Sequence, residues 1–163
     1  VHNNKDIYDA KMVMAKRIDK STVRLTEITD RLTDAEETIA KVDAALKNVD
    51  GKNADSIRKM GKIMTDSVKS IRNLIFGKPE ERQGAGSVYQ ITANGKLGDA
   101  RQEVLGKTKI PDQQEIRMTE EAERLITEAV QKANLFFNGR WMAYQQLVEA
   151  SPIKLFKEYK PVE

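Results

Sequence analysis

A run of apolar residues at alternating three- and four-residue steps sets the strongest limit on what this chain can fold into. Leu25, Ile28, Leu32, Ala35, Ile39, Val42, Leu46 and Val49 follow one another without a miss, the spacing of a helix face buried in a bundle or coiled coil. In the same register the pattern reaches back to Ile18, Met14 and Ile7, interrupted at Ser21 and Lys11. A continuous helix from about Asp6 to Val49 would be roughly 65 Å long at 1.5 Å per residue. The polar gap at residues 19–22 is the place for a kink. Asp50-Gly51 ends the pattern, with Gly51 suited to a left-handed position after the helix.

Three further helices follow from local signals. Asn53 is read as the cap of the second, whose apolar face is Ile57, Met60, Met64, Val68, Ile71 and Ile75, and Gly77 with Pro79 stops it. So short a link from the first helix makes an antiparallel hairpin. Residues 77–87 read as a loop, and Ser87 with Gln90 forms a capping box for a third helix through Leu105. Gly95 and Gly98 weaken that helix by roughly 1 kcal/mol each against Ala, and are read as points of close backbone approach. The fourth opens on Asp112 and Glu115, a cleaner box, with a seam of Met118, Ala122, Leu125, Ala129, Ala133 and Phe136 and with Ile126, Val130 and Phe137 beside it. Asn138-Gly139 interrupts it before it resumes through Trp141, Tyr144, Leu147 and Val148. The tail after Pro152 holds Ile153, Leu155, Phe156 and Tyr159, too apolar for a free end, and is expected to dock near Phe137 and Trp141.

Composition agrees with helices and excludes several functions. Charged residues make up 33% of the 163 and aromatics 6%, a profile of long helices rather than a β sandwich. A net charge of +3 gives no global field to recruit nucleic acid, although residues 51–100 hold nine Lys/Arg against five Asp/Glu. There is no cysteine, so neither disulfides nor thiolate chemistry is available. No apolar run approaches the roughly 18–20 residues that span a bilayer. The chain carries no signal peptide and opens at Val1, so it is expected to be a processed product or a piece of something longer.

The candidate chemistry is sparse. His2 is the single histidine, in a terminal segment expected to fray, and neither a Ser-His pair nor a di-iron or zinc ligand set can be built around it. Glu115, Glu120, Glu121, Glu123 and Glu128 could supply the two carboxylates of a glycosidase. They lie in and after the first turns of a helix, where negative charge favours the dipole, and Lys132 offers Glu128 an i,i+4 partner, so a solvated face is the better reading. Arg58, Lys62, Lys69 and Arg72 share one stripe of the second helix, as a phosphate-binding stripe would, with Glu27, Asp34, Glu37 and Glu103 as candidate ion-pair partners. Gly84-Ala85-Gly86-Ser87 has the outline of an anion cradle but follows no strand and lacks the closing lysine. Phe136, Phe137, Trp141, Tyr144, Phe156 and Tyr159 form an aromatic group whose helical spacing favours core, Trp141 being the ring expected to stay partly exposed.

Residues 134–161 carry a family resemblance. The order Asn134, Phe136-Phe137, Trp141, Tyr144, Val148-Glu149, Leu155-Phe156-Lys157, Tyr159, Pro161 resembles the C-terminal end of large secreted bacterial proteins with sortilin-like BNR-repeat β-propellers, commonly labelled glycosyl hydrolases. Lys78-Pro79-Glu80-Glu81-Arg82-Gln83-Gly84 and the helix start at residues 111–114 are similar to their counterparts there, while Met142 stands where the family pattern has proline. The resemblance implies a helical appendage that follows the propellers of an exported protein, periplasmic or extracellular, and it transfers no catalytic residue to this segment.

Together these readings give one all-α domain over residues 1–163, an antiparallel four-helix bundle with an overlong first helix and a docked C-terminal tail. Its expected function is that of a non-catalytic structural or interaction module, without cofactor or metal, whose partners are the upstream β-propeller and another protein rather than nucleic acid or membrane. The surface expected to serve is Trp141, Tyr144, Arg58, Lys62, Lys69 and Arg72. Two alternatives stand beside it: a module that lines or completes a glycoside-processing site on the propeller, and a cytosolic regulatory bundle whose exposed seam pairs with another helix.

Overall fold

The computed structural model describes residues 3–79, 89–152 and 159–162. They form an all-α bundle of five helices with no strand among the described residues: α1 (Asn4–Ala45), α2 (Lys52–Phe76), α3 (Ala93–Leu105), α4 (Gln113–Asn138) and α5 (Arg140–Glu149). The last two are the expected fourth helix, divided at Gly139.

α1 is a single helix through the polar gap. Ser21 is buried, 3% exposed, and simply takes a seam position with a small side chain. Asn3 caps the start by accepting from the Asp6 amide at 2.8 Å. Along the helix Thr22, Thr26, Thr29, Thr33 and Thr38 donate their hydroxyls to the carbonyls four residues back, which satisfies polar side chains without breaking the helix. The seam is buried as expected from Met14 to Ile39 and again at Leu46; Val42 is half-buried and Val49 lies outside, in the turn.

The α1–α2 turn is built on Gly51 and Arg58. Gly51 has φ 123°, in the region that favours glycine, and caps α2 itself. Asn53 therefore lies inside the helix and is not its cap. The Arg58 guanidinium turns back to donate to Leu46 O at 2.6 Å and to Val49 O. It closes carbonyls that the end of α1 leaves without an intrahelical partner.

Residue pairs along α1 fix the direction of its neighbours. Arg72 reaches Glu36 and Thr33, so α2 runs antiparallel to α1. Arg101 reaches Thr22, and Lys11 donates to Leu105 O and Lys107 O, so α3 continues the same way down the rest of α1. α4 returns beside it, Arg17 meeting Glu123 and Arg24 meeting Thr127 at 3.2 Å. α2 and α3 thus lie end to end along one side of α1, and α4 and α5 end to end along another. The overlong first helix is long because it spans two helices on each side.

The third helix starts later than Ser87 and Gln90 would place it. Its cap is Thr92, which accepts from the Gly95 amide at 3.0 Å. Gln90 is drawn away to grip Lys78: its Oε1 accepts from the Lys78 amide at 2.8 Å and its Nε2 donates to Lys78 O at 3.2 Å. Ser87 lies outside the described residues. Gly98 meets nothing within 4 Å of where a β-carbon would stand, so no backbone approaches there.

In α4 the Asp112–Glu115 capping box is present in both directions. The buried face, however, is Thr119, Ala122, Ile126, Ala129, Ala133 and Phe136, with Met118 and Leu125 only half-buried beside it. The alanines let α4 sit close to both α1 and α3, and the bulkier side chains fill the flanks. Of the tail, Tyr159 stands 86% exposed and does not dock. Ile153, Leu155 and Phe156 lie outside the described residues. No described helix is long and apolar enough to cross a membrane.

Candidate interaction surface

The α4–α5 break gathers four rings of the aromatic group, Phe136, Phe137, Trp141 and Tyr144, and Phe156 lies outside the described residues. Phe136 packs edge-on to Phe137 with centroids 5.0 Å apart, and Trp141 lies 5.9 Å from Phe136, 6.1 Å from Phe137 and 5.4 Å from Tyr144. Phe136 and Tyr144 belong to the core, while Trp141 is half-buried, as expected. Tyr144 is only 1% exposed, which removes it from any surface. Burial, and then the charge of Asp43, push its phenol up to about 12. A groove beside Trp141 is lined by Thr38, Val42, Gln145 and Val148.

The basic stripe separates into two structural arginines and two free lysines. Arg58 closes the end of α1, and Arg72 holds α1 through Glu36 and Thr33. Lys62 and Lys69 are exposed and have no ion-pair partner among the described residues. The expected acidic partners are not the ones used: Glu103 pairs with Lys107, and Glu27, Asp34 and Glu37 pair with nothing described.

The acidic cluster is largely engaged. Glu115, 3% exposed, accepts from the Asp112 amide at 2.8 Å and lies 3.0 Å from Lys109 Nζ and 3.6 Å from Lys107 Nζ. Burial raises its pKa, but the Asp112 amide and the Lys109 ammonium outweigh that and hold it below the usual carboxylate range. Glu121 pairs with Arg124 at 2.7 Å, Glu123 with Arg17, and Glu128 with Lys132 at 3.4 Å, the i,i+4 pair read from sequence. Glu120 is exposed. Among the described residues no group of three or more acidic or histidine side chains is placed to hold a metal ion. His2 and residues 84–87 lie outside the described residues.

One surface escaped the sequence reading. Between α2 and α4 runs a groove of about 470 Å³ with Ile63 and Leu135 on its walls and Ile71 and Phe136 at its base. Ile63 is 48% and Leu135 75% exposed. The signal was available: each is a large apolar residue that falls off its own helix's seam.

Comparison with known proteins finds no matching family model, no matching curated protein and no matching solved structure.

Proposed function

We propose that this chain is a non-catalytic structural and interaction module, the helical appendage of an exported protein of the sortilin-like BNR-repeat β-propeller kind, acting in the periplasm or outside the cell. Its first partner is the upstream propeller and its second another protein. The observation that supports this reading is the use made of the acidic helix. Glu115, Glu121, Glu123 and Glu128 are each bound to a cation or a cap. A glycosidase needs two carboxylates held free at a cleft with separated pKa values. The work left to such a rod is to hold its length and present its faces.

The reading is tested by incubating the pure chain with a panel of aryl glycosides. No turnover is expected; turnover abolished by Glu120→Gln or Glu121→Gln would overturn it.

A further inference from the structure

The groove between α2 and α4 has three properties that together select an occupant. The first is unused apolar surface. Ile71 and Phe136, each 6% exposed, already close the core beneath it, so Ile63 and Leu135 contribute little to the free chain. The second is shape. Ser67 and Ser70 are the small side chains between Ile63 and Ile71, and they leave the trough open. Its α2 wall, from Ile63 to Ile71, is about 12 Å long at 1.5 Å per residue, two helical turns, and it is faced by Lys132, Leu135 and Phe136 of α4 and by Arg140 at the start of α5. With no strand edge on offer among the described residues, the fitting mode is a helix laid in a groove through anchors at i and i+3 or i+4.

The third property is sign. Along the groove Lys132 is already paired with Glu128 at 3.4 Å, which leaves Arg140 to face Asp66. Lys59, Lys62 and Lys69 stand exposed on the same helix, and neither they nor Arg140 has an ion-pair partner among the described residues. The chain's own tail is not the acidic segment this sign selects, with Lys154, Lys157 and Lys160 against Glu158 and Glu163.

We propose that this groove docks an amphipathic helix of a partner protein, one that sets two apolar side chains against Ile63 and Leu135 and carries glutamate or aspartate on its flanks. The inference rests on the reading of the chain as an interaction module and names the class of its partner. Apolar anchors supply the contact, and the flanking acids meet the lysines and Arg140, favouring encounter and register.

The test uses the full chain and two fluorescent helical peptides of roughly fourteen residues, long enough to hold three turns. Both carry leucines at the same i and i+4 positions; one has glutamate on its flanks, the other lysine. The acidic peptide is expected to bind saturably, about tenfold or more tightly than the basic one, and less tightly as salt is raised. Leu135→Ser and Ile63→Ser, both at exposed positions, should each weaken it about tenfold with unchanged circular dichroism. Arg140→Glu, on the rim, should reduce the preference for the acidic peptide and serves if a serine variant loses helix. Equal binding of the two peptides, no saturable binding, or binding indifferent to Leu135→Ser would each overturn the proposal. So would a dimer of the free chain that dissociates on Leu135→Ser, because the occupant would then be a second copy. None of these outcomes depends on glycoside turnover, so a failure here and a failure of the non-catalytic reading are told apart.

Discussion

Tyr144 on α5 places its hydroxyl 3.6 Å from the point where a β-carbon on Gly61 of α2 would stand, and Asp43 Oδ1 of α1 lies at the same distance from that point. Three helices meet there around a residue with no side chain. The hydroxyl is buried and has no hydrogen-bond partner among the described residues. A contact of 3.6 Å is ordinary van der Waals distance, so Gly61→Ala fits, and a mid-helix alanine is worth about 0.5–1 kcal/mol over glycine. Tyr144→Phe removes an unpaired polar atom and should leave stability unchanged or raise it by up to about 1 kcal/mol. Urea melts check both; a clear loss in Tyr144→Phe would show that the hydroxyl is bonded after all.

Two other glycines should respond in opposite directions. Gly98 is inside α3, exposed, with open space around it. Gly98→Ala should stabilise by about 0.5–1 kcal/mol, a rise of roughly 1–4 °C in Tm for a chain of this size. Gly77 has φ 82°, and a β-carbon on it would stand 2.7 Å from Gln90 Oε1, the atom that accepts from Lys78. Gly77→Ala should destabilise by about 1 kcal/mol or more.

The basic stripe of α2 should divide under substitution. Arg58→Met keeps the stem but removes the donor from Val49 O and leaves Leu46 O with the Val49 amide alone. A loss of about 1–2 kcal/mol is expected from hydrogen bonds to a charged group at a half-exposed site. Lys62→Ala and Lys69→Ala should stay within about 0.5 kcal/mol of the parent. Equal effects at all three positions would remove the distinction between helix closure and free surface.

Acid should weaken the chain through the start of α4. The pKa of Asp112 is lowered, chiefly by the Lys109 ammonium and then by the Glu115 amide. In Glu115 burial pulls upward, but the Asp112 amide and Lys109 prevail. Both carboxyls thus bind protons less readily folded than unfolded. Their stabilisation is complete above the ordinary values of 3.8 and 4.5 and is lost as pH falls through the lower folded values. Chemical denaturation from pH 6 down to about pH 2 should show stability falling, and Asp112→Asn with Glu115→Gln should flatten that slope while keeping cap-competent side chains. A double variant with the parent's slope would place the acid sensitivity elsewhere.

What could be read from the sequence was local and periodic. The α1 seam was legible because one uninterrupted register specifies one face, and the Asp112–Glu115 box because its partners are three residues apart. The face of α4 was displaced because apolar residues stand side by side at Leu125 and Ile126. A helix with such pairs can be turned by about one residue, and only the neighbours α1 and α3 decide between the two settings. Gln90 was misread because its true partner, the backbone of Lys78, lies twelve residues away across a loop. Helical spacing favoured core for Tyr144, and its burial bears that out; what fails is its place beside Trp141 in the expected surface, because the break at Gly139 resets the helix phase and hides which side of α5 faces inward. The groove walls Ile63 and Leu135 left a trace in the sequence only as residues that the seams did not need.

α1 passes unbroken beside two changes of helix, and α4 runs past the first of them, packing on α3 and then on α2. α2 gives way to α3 between the heights marked by Thr33 and Thr22. α4 gives way to α5 between those of Arg24 and Thr38. The two ends are therefore joined through the middle turns of α1, where Ile28, Leu32 and Ala35 are buried, and through the contact of α4 with α2. A proline at Arg31, which interrupts the helix there, should loosen the coupling of the two ends and broaden the thermal unfolding transition, with the α2–α4 contact left to hold them together. In that sense the long helix is a splint, and what it transmits between the two ends is the decision to stay folded.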